Sequence, residues 1–152
     1  MTSRSHLLFV FVTILFVAGC SGMVPLSEVD GQHFVERSLT KDQVKEAIIE
    51  GAESAGWIAK DLGSDFILAT YRIRSHTIHV NIDFTNSYYI THYKTSNRMK
   101  MFCTERDKDK ARNIKVSGRQ ECPGGIPVYI HGNYKIWVDS LNNAIQNSLA
   151  SM

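Results

Sequence analysis

The chain has 152 residues, 43% of them hydrophobic, with 17 Lys/Arg against 15 Asp/Glu for a formal charge of only +2. That length and apolar content suit a single domain with a modest core and exclude a disordered polyelectrolyte. The near-neutral sum is uninformative alone, because the charge is spread unevenly along the chain.

At the N-terminus Arg4 is the only charged side chain, and Leu7 to Ala18 is apolar except for Thr13. Twelve such residues are too few for a helix to cross a hydrocarbon core, which takes about 20. A basic start, a short apolar run and small residues after it are instead the parts of a secretory signal. Val17-Ala18-Gly19-Cys20 resembles the lipobox of bacterial lipoproteins. The resemblance implies removal of residues 1–19 and lipidation of Cys20, with several acyl chains anchoring far better than one. Ser21 follows where an Asp would suggest inner-membrane retention, which favours the outer membrane with the domain facing the periplasm. Residues 20–38, the lipidated Cys and a stretch of Ser, Gly, Pro and charges without a sustained period, read as a tether. Residues 39–152 then form the single folded domain.

Thr40-Lys41-Asp42-Gln43 fits a capping box, with Leu39 and Val44 placed for a hydrophobic staple. Val44, Ala47, Ile48, Gly51, Ala52 and Ala55 make one narrow apolar stripe whose small residues would let the helix lie close to a sheet, and Gly56 is its stop. From Trp57 the period becomes two. Trp57 to Leu62, Phe66 to Arg74, Thr77 to Phe84 and Tyr88 to Lys94 read as four strands joined by short links, which implies antiparallel neighbours. Near the end Tyr134, Trp137, Val138, Leu141, Ala144, Ile145 and Leu149 share a helical face, with Asn133 as N-cap. The expected architecture is α+β: an N-terminal helix, a four-stranded antiparallel meander, a disulfide-closed loop and a C-terminal helix, with the helices on one sheet face.

The disulfide expectation rests on cysteine arithmetic. Lipidation of Cys20 leaves Cys103 and Cys122, and an even pair in an oxidising compartment is most simply bonded. The alternative, zinc, needs two further ligands that the neighbouring sequence does not supply. Between the last strand and the last helix the charge is lopsided. Lys94, Arg98, Lys100, Arg106, Lys108, Lys110, Arg112, Lys115 and Arg119 face only Glu105, Asp107 and Asp109, while the rest of the mature chain is net acidic. Such a basic lobe suits lipid phosphates, an anionic envelope polymer or an acidic protein, and otherwise serves as a solvated loop.

Ile130-His131-Gly132-Asn133-Tyr134-Lys135-Ile136-Trp137 through Leu141 resembles a motif, IHxNYxxWxxxL, at the start of the last helix in a set of small uncharacterised bacterial lipoproteins. The resemblance implies a helix followed by a strand meander, and brings no reaction with it. The loop between Cys103 and Cys122 is longer than that pattern implies. Physically the motif reads as structural: Ile130, Tyr134, Trp137 and Leu141 packing, Asn133 capping, and His131 bonding backbone near the helix start.

No nucleophile elbow, HExxH or CxxC is present. His76 and His79 are three apart and so point to opposite faces of a strand, whereas His92 is positioned to meet a neighbouring strand. No metal or cofactor is expected, and nucleic acid fits the compartment poorly. The expectation is a non-enzymatic, membrane-anchored envelope lipoprotein that docks a protein or an anionic envelope component. The alternative is a small-ligand carrier or sensor using Tyr89, Thr91 and Tyr93 on an open sheet face.

Overall fold

The computed structural model describes residues 22–63, 65–103, 122 and 127–152. Among the described residues it is α+β, with two α-helices and eight strands in two antiparallel sheets. In chain order these are β1 (Met23–Pro25), a 3₁₀ turn (Leu26–Glu28), β2 (Gly31–Phe34), α1 (Lys41–Ser54), β3 (Ile58–Asp61), β4 (Phe66–Ile73), β5 (His76–Phe84), β6 (Tyr88–Asn97), β7 (Met101–Phe102), β8 (Tyr129–His131) and α2 (Asn133–Ser151). The large sheet has the order β2-β6-β5-β4-β3 and the small one β1-β8-β7.

Two expectations about the N-terminal half are corrected. The domain does not open with a helix followed by four strands, because β1 and β2 precede α1 and the sheet has a fifth strand. Nor is the stretch from Met23 to Phe34 a tether. β1 pairs with β8, and β2 completes the large sheet along β6, with His33 opposite Tyr89. Its strands are only three and four residues long, too short to show a two-residue period, so their pairing is set by tertiary partners rather than by local pattern.

α1 starts where its cap dictates. Gln43 N–H donates to Thr40 Oγ1 at 3.2 Å, and Thr40 N–H donates to Gln43 Oε1 at 2.9 Å. It ends in a Schellman arrangement, with Gly56 at φ +79° and Trp57 N–H bonded to Ala52 O at 2.9 Å. The buried stripe is Val44, Ala47, Ile48, Gly51 and Ala52. Its smallest member, expected to let the helix approach the sheet, faces the other helix instead. Gly51 meets α2, where an added Cβ would sit 2.5 Å from Ile145 Cα. The helices therefore cross backbone to backbone, and Ser148 Oγ reinforces the crossing by donating to Glu50 Oε2 at 2.8 Å.

On the large sheet the side chains of Ile67, Ala69, Ile78, Val80, Ile82, Phe84, Tyr89 and Tyr93 join those of α1 and α2 in one core. The small sheet enters the same core through Met101 and Ile130. Burying a full-sized apolar side chain contributes roughly 1.5–3 kcal/mol, so this layer of helices on sheet carries the fold. The opposite sheet face keeps Phe34, Ile58 and Phe66 exposed.

Candidate functional site

The C-terminal motif is built into the core. Ile130 lies in β8, fully buried, and Tyr134 and Leu141 are fully buried in α2. Trp137 is half-buried, tilted against Tyr71 at 5.7 Å between ring centroids, and Tyr71 stacks on Trp57 at 5.0 Å. Asn133 is not the N-cap: that place belongs to Gly132, which has no side chain to offer, and Asn133 is the first helical residue. The cap function passes to His131, whose Nδ1 accepts the Asn133 N–H at 3.2 Å. His131 must be neutral to accept there. Burial lowers its pKa, and electrostatic interaction with His76 and Lys100 lowers it further. Among the described residues the Tyr134 hydroxyl is buried without a hydrogen-bond partner; burial holds its pKa well above the phenol range, with Asp30 and Tyr93 adding to the effect.

The face of β6 expected to be open is closed. Tyr89 and Thr91 are fully buried and Tyr93 nearly so, beneath the helices. Tyr89 Oη donates to Asn142 O at 3.3 Å, and Thr91 Oγ1 donates to Asn142 Oδ1 at 2.8 Å. Burial pushes the Tyr89 hydroxyl up to about 12, against an opposing hydrogen bond from Gln146. These residues are packing and cannot line a ligand face, because α2 occupies the space above them. Sequence reasoning missed Asn142, although its position four residues after Val138 and three before Ile145 places it on the buried stripe.

The solvent-side face carries the polar pairs. His92 Nε2 lies 3.2 Å from Asp83 Oδ2 across the β5–β6 pair. His79 Nδ1 lies 2.9 Å from Thr70 Oγ1, while His76 turns to the helix side near Trp137. The two histidines thus occupy opposite faces. Among the described residues Asp83 Oδ1 and His92 Nδ1 have no hydrogen-bond partner, and no third ligand completes a metal site.

Of the basic residues singled out from sequence, Lys94, Arg98 and Lys100 are described and exposed. Arg106, Lys108, Lys110, Arg112, Lys115 and Arg119 lie outside the described residues, as does Cys20. Cys103 and Cys122 are bonded, with Cα atoms 5.4 Å apart. Clefts on the outer surface are shallow. One follows the acidic face of α1 past Asp42, Glu46 and Glu53, and another runs between the helices beside Ile136 and Asp139. Among the described residues no helix is long and apolar enough to cross a membrane. No family model matches the chain, and no curated protein or solved structure does either.

Proposed function

We propose that this protein is a non-enzymatic lipoprotein of the bacterial envelope, cut after residue 19, acylated on Cys20 and held on the outer membrane with its domain in the periplasm. There it docks a protein or an anionic envelope component. The observation that carries the reading is Val17-Ala18-Gly19-Cys20 directly after a short apolar run. The cysteine pairing supports it: with Cys103 bonded to Cys122, Cys20 is the one cysteine of three left for lipid. A disulfide also suits an oxidising compartment. The docking role draws on the exposed Lys94, Arg98 and Lys100.

Expression of the whole chain in a bacterium with an outer membrane tests both parts. Wild type is expected in the outer-membrane fraction with a diacylglyceryl mass on Cys20, and Cys20→Ser is expected to leave that fraction. An unmodified Cys20 in wild type would sink the anchor. For docking, charge reversal at Lys94, Arg98 and Lys100 is expected to change what is crosslinked in intact cells; an identical set of partners would sink the electrostatic role.

A further inference from the structure

We propose that the end of the domain nearest Cys20 is a docking surface for the anionic phospholipid headgroups of the membrane that holds the anchor; this rests on the lipidation reading above. β1 begins at Met23, three residues after Cys20. Three fully extended residues reach about 10 Å. With β1 locked into a sheet, the anchor is a short leash, and the β1 end of the domain must sit at the headgroups.

That end has a defined composition. Met23 pairs with His131, and Gly132 N–H donates to Gly22 O at 2.7 Å, so the chain enters beside the start of α2. The His131 N–H donates to Lys100 O at 3.2 Å, and His131 interacts electrostatically with His76 at the start of β5. Register then brings in the rest: Ile73 pairs with His76 across the β4–β5 turn, and Thr77 pairs with Asn97 at the exit of β6. Arg74 and Arg98 follow at this rim, while Arg72 and Lys94 act together on His79.

Arg72, Arg74, Lys94, Arg98 and Lys100 are all exposed. Among the described residues none of them forms an ion pair. The strand ends and turns that build this end, 22–27, 71–78, 94–103 and 129–135, contain no Asp or Glu; acidic residues resume at Glu28 and Asp30 after β1 and at Asp139, which pairs with Lys135 in α2. At the far end of the sheet the balance is different, since Asp61 pairs with Lys45, Asp65 with Lys41 and Asp83 with His92. The cations are thus gathered at the end where the anchor enters.

Two of them also occupy unfavourable backbone. Arg74 has φ 52° and Arg98 φ 62°, a left-handed region that is free for Gly and costly for a residue with a Cβ. Strain of this kind persists where the side chain is needed. A basic residue beside an anionic leaflet strengthens association about fivefold, and lipid plus a basic patch is a two-signal anchor.

The test uses the processed chain purified from membranes and reconstituted in vesicles of phosphatidylcholine, with or without phosphatidylglycerol. The rate of amine acylation at Lys100 is compared with that at Lys60, which is exposed on β3. With phosphatidylglycerol, Lys100 is expected to react about fivefold more slowly and Lys60 at an unchanged rate, with the difference erased by high salt. The double variant Arg74→Gly/Arg98→Gly is expected to lose most of the protection while melting at the same or a higher temperature, because Gly relieves both backbones. Equal Lys100 rates in the two vesicles would overturn the docking, as would protection that survives the double variant. Mass spectrometry of the same sample separates the two readings. A Cys20 without lipid removes the anchor and the docking with it, whereas a lipidated Cys20 beside an unprotected Lys100 removes the docking alone.

Discussion

At the residue scale two positions decide how the helices seat on the sheet. Gly51 is the first. A Cβ there would lie 2.5 Å from Ile145 Cα and 2.8 Å from Ala144 O, both backbone atoms that cannot swing aside. Gly51→Ala would gain about 1 kcal/mol of helix propensity, yet forcing two helices apart costs about 1–3 kcal/mol or more. Because both opposing atoms are backbone, the cost falls toward the upper part of that range, and a net loss of about 1–2 kcal/mol is expected in urea unfolding; unchanged stability would show that α1 and α2 do not cross this closely. Thr91 is the second. Thr91→Val keeps the shape but strands Asn142 Oδ1, which is buried and takes its 2.8 Å bond from that hydroxyl. The expected cost is about 1–3 kcal/mol. Thr91→Val combined with Asn142→Leu is expected to recover most of it, since removing both polar partners leaves nothing unsatisfied. A double variant as unstable as the single would refute the pairing.

At the element scale, what could be read from sequence is what is locally determined. The Thr40–Gln43 box and the Gly56 stop bound α1 because capping and positive φ depend on a few neighbouring residues. β5 was legible from Ile78, Val80, Ile82 and Phe84, whose alternate burial sets a period of two. β1, β2, β7 and β8 are at most four residues each, too short to carry a period, and exist through partners distant in sequence. The same reason misplaced Tyr89, Thr91 and Tyr93. Alternation says that one face of β6 differs from the other but not which face the helices cover. The basic end was half visible: Lys94, Arg98 and Lys100 stood in a charged run, while Arg72 and Arg74 join them only through the β4–β5–β6 register. The Cys103–Cys122 bond ties β7 to the chain leading back to β8, across 19 positions of sequence. Cys103→Ala/Cys122→Ala is expected to lose about 3 kcal/mol on the chain-entropy model, read as a lower denaturant midpoint that reductant no longer shifts. Equal midpoints for wild type with and without reductant would contradict a structural role for the bond.

At the scale of the whole molecule, the fold keeps Asp61, Asp65 and Asp83 at one end of the sheet and brings the entry of β1 and the exposed cations Arg72, Arg74, Lys94, Arg98 and Lys100 together at the other. His131 stands where these meet, holding β1 through Met23 and starting α2 through its Nδ1. Its protonation removes the acceptor for Asn133 N–H and adds a positive charge beside Lys100 and the positive end of the α2 dipole. Burial, the foremost cause, lowers the pKa of His131, His33 and His79 from 6.5; electrostatic interaction with His76 and Lys100 reinforces it at His131, and with Lys94 and Arg72 at His79, while Asp139 opposes it at His33. A histidine with a depressed folded pKa binds fewer protons folded than unfolded, so stability is fully present above the unfolded pKa and is lost as pH falls through the folded one. The melting temperature is therefore expected to be level above neutrality and to drop as pH falls below about 6.5, before the carboxylates titrate. His131→Asn isolates the contribution of that residue, because an Asn oxygen can accept from the backbone two residues on without titrating. Its melting curve is expected to fall less steeply over the same interval. A wild-type melting temperature that rises or stays level as pH falls through that interval would show that burial of these imidazoles does not govern the acid limb, and an Asn variant as pH-sensitive as wild type would remove His131 from it.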